Sequence, residues 1–142
     1  MRILVSACLL GLCTRYDGGS TPCDAVIRLR HKHLLIPVCP EQLAGLPTPR
    51  PPCEISGNHV ISRNGQDLTA VFAHGSEQAF QVYALSGCEA AVLKQRSPSC
   101  GKSLIYDGSF QGRLTQGPGL FAGKLINAGI PVYGEDEIHL LG

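Results

Sequence analysis

An α/β fold with a mainly parallel sheet is what this sequence predicts, on three observations. Apolar runs at Ile3–Val5, Leu34–Val38 and Ala90–Leu93 lack the polar alternation of a half-exposed strand, so they read as strands buried on both faces. Segments with helical spacing of apolar residues lie between them. The order alternates strand, helix, strand, as parallel α/β sheets do.

Ile3-Leu4-Val5 is the first strand and ends at Ser6-Ala7-Cys8. Asp17-Gly18-Gly19-Ser20 is a turn cluster. Asp24 is placed to cap a helix over Ala25–His33, whose Ala25, Val26 and Leu29 share a face. Leu34–Val38 is the second strand, with Cys39-Pro40-Glu41 just past its end. Pro47, Pro49, Pro51 and Pro52 make an extended loop of residues 45–52. His59–Ser62 reads as a strand ending at the turn dipeptide Asn64-Gly65. A helix starts at Asp67 or Thr69 and runs to about Ser86, with Val71, Phe72, Ala79, Val82 and Tyr83 on its apolar face. Gly75 is its weak point. Ala90–Leu93 is the third core strand, and Leu104–Gly108 is a short strand or loop. Gly117-Pro118-Gly119 is a tight turn into a helix over Leu120–Ala128, and Ile130–Tyr133 is the last strand. Right-handed crossovers then put helices on both faces of a Rossmann-like sheet. One domain over residues 1–142 accommodates all of this.

Of the 142 residues, 44% are hydrophobic, enough for a core at this size. The net charge of +1 argues against nucleic acid or an anionic membrane as an electrostatic partner. The absence of Trp speaks against a platform for single strands. No apolar run approaches the ~18 residues of a membrane span. Met1-Arg2 and the apolar residues after it resemble a short leader, and Val5-Ser6-Ala7-Cys8 a lipoprotein box. The stretch is too short for the usual ~7–15 residue apolar region, and a buried strand explains the same residues. The expected location is cytoplasmic.

Seven cysteines cannot all pair, and in a reducing compartment clustered thiols point to metal or catalysis. Cys8, Cys39 and Cys100 each follow a predicted strand at its carboxyl end, where open α/β sheets bind their ligands. Three thiolates leave two chemistries open. One is a 4Fe–4S cluster with one open iron. The other is zinc, completed by water or by His31, His33, His59, His74 or His139. None of these histidines sits at a comparable strand end, which favours the cluster. The bland alternative is that the cysteines are small core hydrophobes. Cys88 is expected to be structural and Cys53 to lie near the site. Cys13 and Cys23 flank the turn at Arg15–Gly18, with a disulfide between them as the minor expectation.

Polar groups beside the three thiols complete the candidate site. Glu41, two residues past Cys39, is a candidate general base. Ser97 and Ser99 lie just before Cys100. Arg15, Asp17 and Arg50 are candidates to hold a polar substrate edge. Gly117-Pro118-Gly119 ahead of a helix resembles a phosphate-cradling turn, but it is not a true G-x-G-x-x-G and Pro118 removes one amide donor, so it reads as a tight turn with a helix start.

Several stretches jointly carry a resemblance. They are Ser6-Ala7-Cys8-Leu9-Leu10-Gly11, Arg15-Tyr16-Asp17-Gly18-Gly19, Pro37-Val38-Cys39-Pro40-Glu41, Leu46–Arg50, Gly65–Thr69, Lys94–Gly101 and Tyr106-Asp107-Gly108-Ser109-Phe110. In this order they resemble a bacterial family, formerly a domain of unknown function, that includes the thiouracil desulfurases. The resemblance implies a 4Fe–4S cluster on Cys8, Cys39 and Cys100. It implies a catalytic Glu and Ser, placed at Glu41 and Ser97 with Ser99 as the alternative. The implied reaction is the non-redox replacement of sulfur by oxygen in a small thiolated substrate, with water as the oxygen source. A three-ligand cluster is oxygen-sensitive, so aerobically prepared protein is expected to lose it. Two other classes remain: an iron–sulfur or zinc sensor or sulfur-delivery module without turnover, and a metal-free enzyme using Cys100 as a nucleophile activated near a helix N-terminus.

Overall fold

The computed structural model describes residues 1–141. In chain order the elements are β1 (Arg2–Ser6), α1 (Asp24–Ile27), β2 (Leu34–Val38), α2 (Pro40–Leu43), β3 (Cys53–Ser56), β4 (His59–Ser62), α3 (Thr69–Leu85), β5 (Ala90–Leu93), β6 (Leu104–Tyr106), β7 (Leu114–Gln116), α4 (Leu120–Asn127) and β8 (Val132–Gly134). Short 3-10 segments occupy Ala7–Leu10, Arg28–His31 and Glu135–Leu141.

Four strands form one sheet in the order β2-β1-β5-β8, and every neighbouring pair is parallel. Ile3, Leu4 and Val5 of β1 and Ala90–Leu93 of β5 are buried, as the unbroken apolar runs predict for central strands. On one face Ala79 of α3 and Phe121 and Leu125 of α4 pack with Leu4, Ala91 and Leu93. On the other, Val26 of α1 and Leu9 pack with Ile3, Val5 and Val92. Helices therefore flank the sheet on both faces. No described helix is long and apolar enough to cross a membrane.

The sheet order reverses between β1 and β5: the chain leaves β1 for β2 on one side and returns to β5 on the other. That is the switch point at which the carboxyl ends of an open α/β sheet leave a crevice. Two antiparallel hairpins, β3–β4 and β6–β7, lie outside this sheet.

Five elements depart from the sequence reading, the first being β2, an edge strand with Leu34 and Pro37 exposed rather than a strand buried on both faces. The helix after Cys23 is four residues long and continues as a 3-10 turn, because the Lys32 and His33 amides both close on the Leu29 carbonyl. Its N-cap is Cys23, and Asp24 makes no side-chain cap. Cys39-Pro40-Glu41 opens a short helix, α2, with extended Cys39 as N-cap and Pro40 in the first turn, where a missing amide hydrogen costs nothing. Strands β3 and β7 were not anticipated, since β3 buries a glutamate and β7 buries nothing.

Gly75 of α3 now has a reason. A Cβ there would run into the Pro40 carbonyl and stand 2.8 Å from the Ala44 Cβ. The glycine lets α3 seat α2, and with it Glu41, against the body of the fold.

Candidate functional site

A cavity of about 580 Å³ opens at the carboxyl ends of β1, β2 and β5. Its walls include Cys8, Cys39, Cys100, Cys53, Glu41 and Ser97. Each ligand-type side chain is held by its own backbone setting. The Cys8 carbonyl accepts from the Gly11 and Thr21 amides, which fixes the 3-10 turn after β1. Cys39 stands between β2 and α2, and its thiol lies 3.7 Å from the Thr14 carbonyl.

Cys100 sits in a tightly bonded loop. The Ser97 hydroxyl oxygen accepts from the amides of Ser99 (3.1 Å) and Cys100 (3.0 Å). The first amides of α4 donate to the carbonyls of Pro98 (2.9 Å) and Ser99 (3.0 Å). The buried Gln95 side chain accepts from Lys102, Ser103 and Leu104 on the far side of the loop. Gly119 makes the close approach possible, since a Cβ there would lie 2.6 Å from the Ser99 carbonyl. The Gly117-Pro118-Gly119 turn therefore leads into a helix, as expected, whose leading amides are spent on the Cys100 loop.

Glu41 is gripped from two sides. Its Oε1 accepts from Arg50 Nε at 3.0 Å, and its Oε2 accepts from the Ser99 hydroxyl at 3.2 Å. Arg50 is buried and also donates to the Thr48 hydroxyl and the Thr14 carbonyl, both at 2.9 Å. The expected substrate contact at Arg50 meets a guanidinium already engaged with protein. The two serines divide: Ser99 is buried behind Glu41, while Ser97 lines the cavity.

Arg15 lines the cavity, with its guanidinium 5.7 Å from the Tyr16 ring centre. Asp17 does not. It is exposed, and its carboxylate accepts from the Gly19 amide at 2.9 Å, closing its own turn. Lys94, Thr21, Glu54 and Phe110 also line the cavity; Lys94 and Phe110 fall in stretches that carry the family resemblance, whereas Thr21 and Glu54 carried no sequence signal.

Burial pushes the Cys8 thiol up, against the pull of neighbouring Lys94 and Arg15. It pushes Cys100 well above the ordinary thiol range and Cys53 up to about 11. Burial thus acts on Cys100 in the direction opposite to the activation that the metal-free thiol reading requires. All seven cysteines are unpaired, Cys13 and Cys23 included, and Cys88 lies in the core as expected. Among the described residues no three His, Cys, Asp or Glu side chains converge on a point that would hold a single metal ion.

A profile of the 2-thiouracil desulfurase family matches residues 3–137. The chain belongs to the 2-thiouracil desulfurase family. It is 33% identical to the uncharacterized protein YbbK of Bacillus subtilis strain 168, over 96% of this chain and 97% of that one. The solved structure of the 4Fe-4S-dependent thiouracil desulfidase TudS matches with a TM-score of 0.89 at 42% identity, over 99% of this chain and 94% of that chain.

The cavity of this desulfurase-family chain can be tested against such a cluster, and the residues present suit it. Three thiols that follow three strand ends line the one cavity that such a cluster would occupy. Bare, the buried thiols favour their protonated form, so a strongly cationic partner is what would keep them ionised. The Thr21 hydroxyl sits beside Cys8 and pulls its thiol down against the effect of burial. A hydroxyl donor at that sulfur suits a thiolate ligand.

Proposed function

We propose that this protein is an iron–sulfur-dependent desulfurase that converts a thiouracil-like thioamide to its oxo form by hydrolysis. The observation that carries this reading is the meeting of Cys8, Cys39, Cys100, Glu41 and Ser97 around one cavity. The three cysteines would hold a 4Fe–4S cluster with one iron lacking a protein ligand. When bound, that group supplies a thiophilic Lewis acid for the thiocarbonyl sulfur.

The chain's own residues supply the proton chemistry and the positioning. Glu41 takes a proton from the attacking water, within a frame that the Arg50 and Ser99 bonds keep fixed. Ser97 accepts two amide hydrogens, which leaves its own hydroxyl hydrogen to donate into the cavity, toward the substrate or the developing oxyanion. Arg15 lines the same space with positive charge that favours the leaving sulfide, while the Lys94 ammonium is paired with Glu135 at 3.0 Å. The balance is one thiocarbonyl plus water giving one carbonyl plus hydrogen sulfide: a C–O bond forms, the C–S bond breaks, and no electrons are transferred. Ser99 acts through Glu41 rather than on substrate, and Ser97 is the serine of the reaction.

The test is anaerobic reconstitution of wild-type, Cys8→Ala and Glu41→Ala proteins. Wild type should carry about four iron and four sulfide per chain and release sulfide from 2-thiouracil. Cys8→Ala should lose both. Glu41→Ala should keep the cluster and lose activity ~10²–10⁴-fold. A fully active Glu41→Ala protein sinks the mechanism, and turnover-free wild type with a normal cluster would leave a sensor or sulfur carrier instead.

A further inference from the structure

The β6–β7 hairpin has no part in the chemistry above, yet its tip closes one side of the cavity through Tyr106, Phe110 and Gly112. Among the described residues only two non-glycines adopt a left-handed backbone: Arg96 (φ 71°) and Phe110 (φ 56°). Both line this cavity. Such a conformation is unfavourable for a residue with a Cβ and persists where the surroundings enforce it, commonly at sites that use it.

For Phe110 the enforcing group is visible. Glu54 points inward from β3 and is only 8% exposed. Its Oε1 accepts from the amides of Gly108 (3.0 Å) and Phe110 (3.1 Å). Gly108 takes φ 94° and packs so closely on β3 that a Cβ would lie 2.8 Å from the Ile55 carbonyl. The hairpin tip is thus clamped to β3 by a buried carboxylate. A buried carboxylate is expensive to desolvate, and this one needs its two amides to be tolerated at all. What the clamp delivers to the cavity is a half-buried phenyl ring, with the Arg63 guanidinium 5.7 Å from its centre. Tyr16 and Tyr106 also line the wall, but each ring carries a hydroxyl, and the remainder is mostly thiols, charged groups and hydroxyls.

We propose that Phe110 is the residue that recognises the substrate as a ring, its face stacking on a planar heterocyclic thioamide, and that Glu54 is the positioning residue that holds it there. The proposal rests on the desulfuration reading and narrows its substrate class to ring thioamides over small acyclic ones. A phenyl ring has no proton to give and no charge to offer, so it acts on binding alike in ground and transition states. Its removal therefore raises KM and leaves kcat nearly as it was. An acyclic thioamide such as thioacetamide has no ring face to lose.

The experiment titrates the reconstituted wild-type, Phe110→Ala, Phe110→Trp and Glu54→Ala proteins with uracil by calorimetry, and follows sulfide release from 2-thiouracil and thioacetamide in parallel. Phe110→Ala should weaken uracil binding and raise the KM for 2-thiouracil by about 5- to 150-fold. The preference for 2-thiouracil over thioacetamide should fall by the same factor. Glu54→Ala should show the same direction with the phenyl still present, and the double variant should add little to Phe110→Ala. Iron content should be unchanged throughout. The chain has no Trp, so Phe110→Trp carries the only indole; it should retain binding, and its emission should be quenched by 2-thiouracil. Uracil affinity and KM untouched in Phe110→Ala overturn the proposal, as do equal losses on thioacetamide or a wild type that does not bind uracil. If wild type releases no sulfide at all, the desulfuration reading has failed, and the uracil titration still decides Phe110.

Discussion

Replacing Arg50 with Met keeps the side chain's length but removes the charge facing Glu41 and the donors that tie Thr14 and Thr48 to it. The two side chains are 4% and 14% exposed, so the pair is not screened as a surface ion pair would be. Removing one partner of a buried pair costs ~3–5 kcal/mol, mainly because the other charge is left uncompensated. Glu41 keeps the Ser99 hydroxyl and a little solvent, which puts the cost at the lower end, ~3 kcal/mol. At ~2.1 cal/mol/K per residue, the unfolding entropy of 142 residues is ~0.3 kcal/mol per degree. The expected fall in Tm is therefore ~10 °C. Activity should fall as well, since a carboxylate held at one oxygen instead of two drifts, and an error of ~1 Å in a reacting group costs on the order of 10²-fold. Arg50→Lys keeps the charge without the fork and should fall between. The assay is a thermal melt and sulfide release from 2-thiouracil, with iron content as the control. A double-mutant cycle on stability with Glu41→Gln should give a coupling of ~1.5 kcal/mol or more. A Tm within ~2 °C of wild type, or a coupling near zero, refutes the buried-pair argument. Full activity refutes Arg50 as the group that positions Glu41.

Two further outcomes follow from packing and charge. Glu137 is held below the usual glutamate range by the Gly134 amide at 2.9 Å and by Lys102. Its native state binds fewer protons than the unfolded chain, so its stabilisation is complete above the ordinary value of ~4.3 and is lost as pH falls through the lower folded value. Glu137→Gln should melt below wild type at pH 7, and the gap should close under about pH 4; a pH-independent gap counts against this account. Gly119→Ala would set a Cβ 2.6 Å from the Ser99 carbonyl and 2.7 Å from that of Pro98, both backbone atoms that move only with the loop. The strain should cost ~1–3 kcal/mol and lower the iron retained per chain, since Cys100 rides on that loop. A variant that melts and reconstitutes like wild type would show the loop to be less rigid than its bonds suggest.

The parallel sheet and three of the site's thiols are legible in sequence for one shared reason. β1 and β5, buried on both faces, leave unbroken apolar runs, and β2 leaves one too although it is a half-exposed edge strand; the carboxyl ends of all three face one crevice. Cys8, Cys39 and Cys100 can then be brought together on paper although tens of residues separate them. Glu41 follows from Cys39 by adjacency. The choice between Ser97 and Ser99 does not follow, because both belong to one turn. Only the fold shows that one hydroxyl faces the cavity and the other lies behind Glu41.

What sequence cannot show is a polar group spent on another part of the same protein. Arg50 reads as a substrate contact because a lone arginine has no visible partner. Its partner lies nine residues back across a proline-rich loop, and only the fold makes the two meet. Glu54 is the stronger case. Strand alternation assigns a glutamate to solvent, yet β3 turns Glu54 inward, because the amides of Gly108 and Phe110 wait there, 54 and 56 residues away. The inversion also hides β3 from any reading based on hydrophobic pattern. A buried, fully bonded carboxylate that breaks the local pattern is a sign that something else must be held in place, and here that is the one phenyl ring lining the cavity wall.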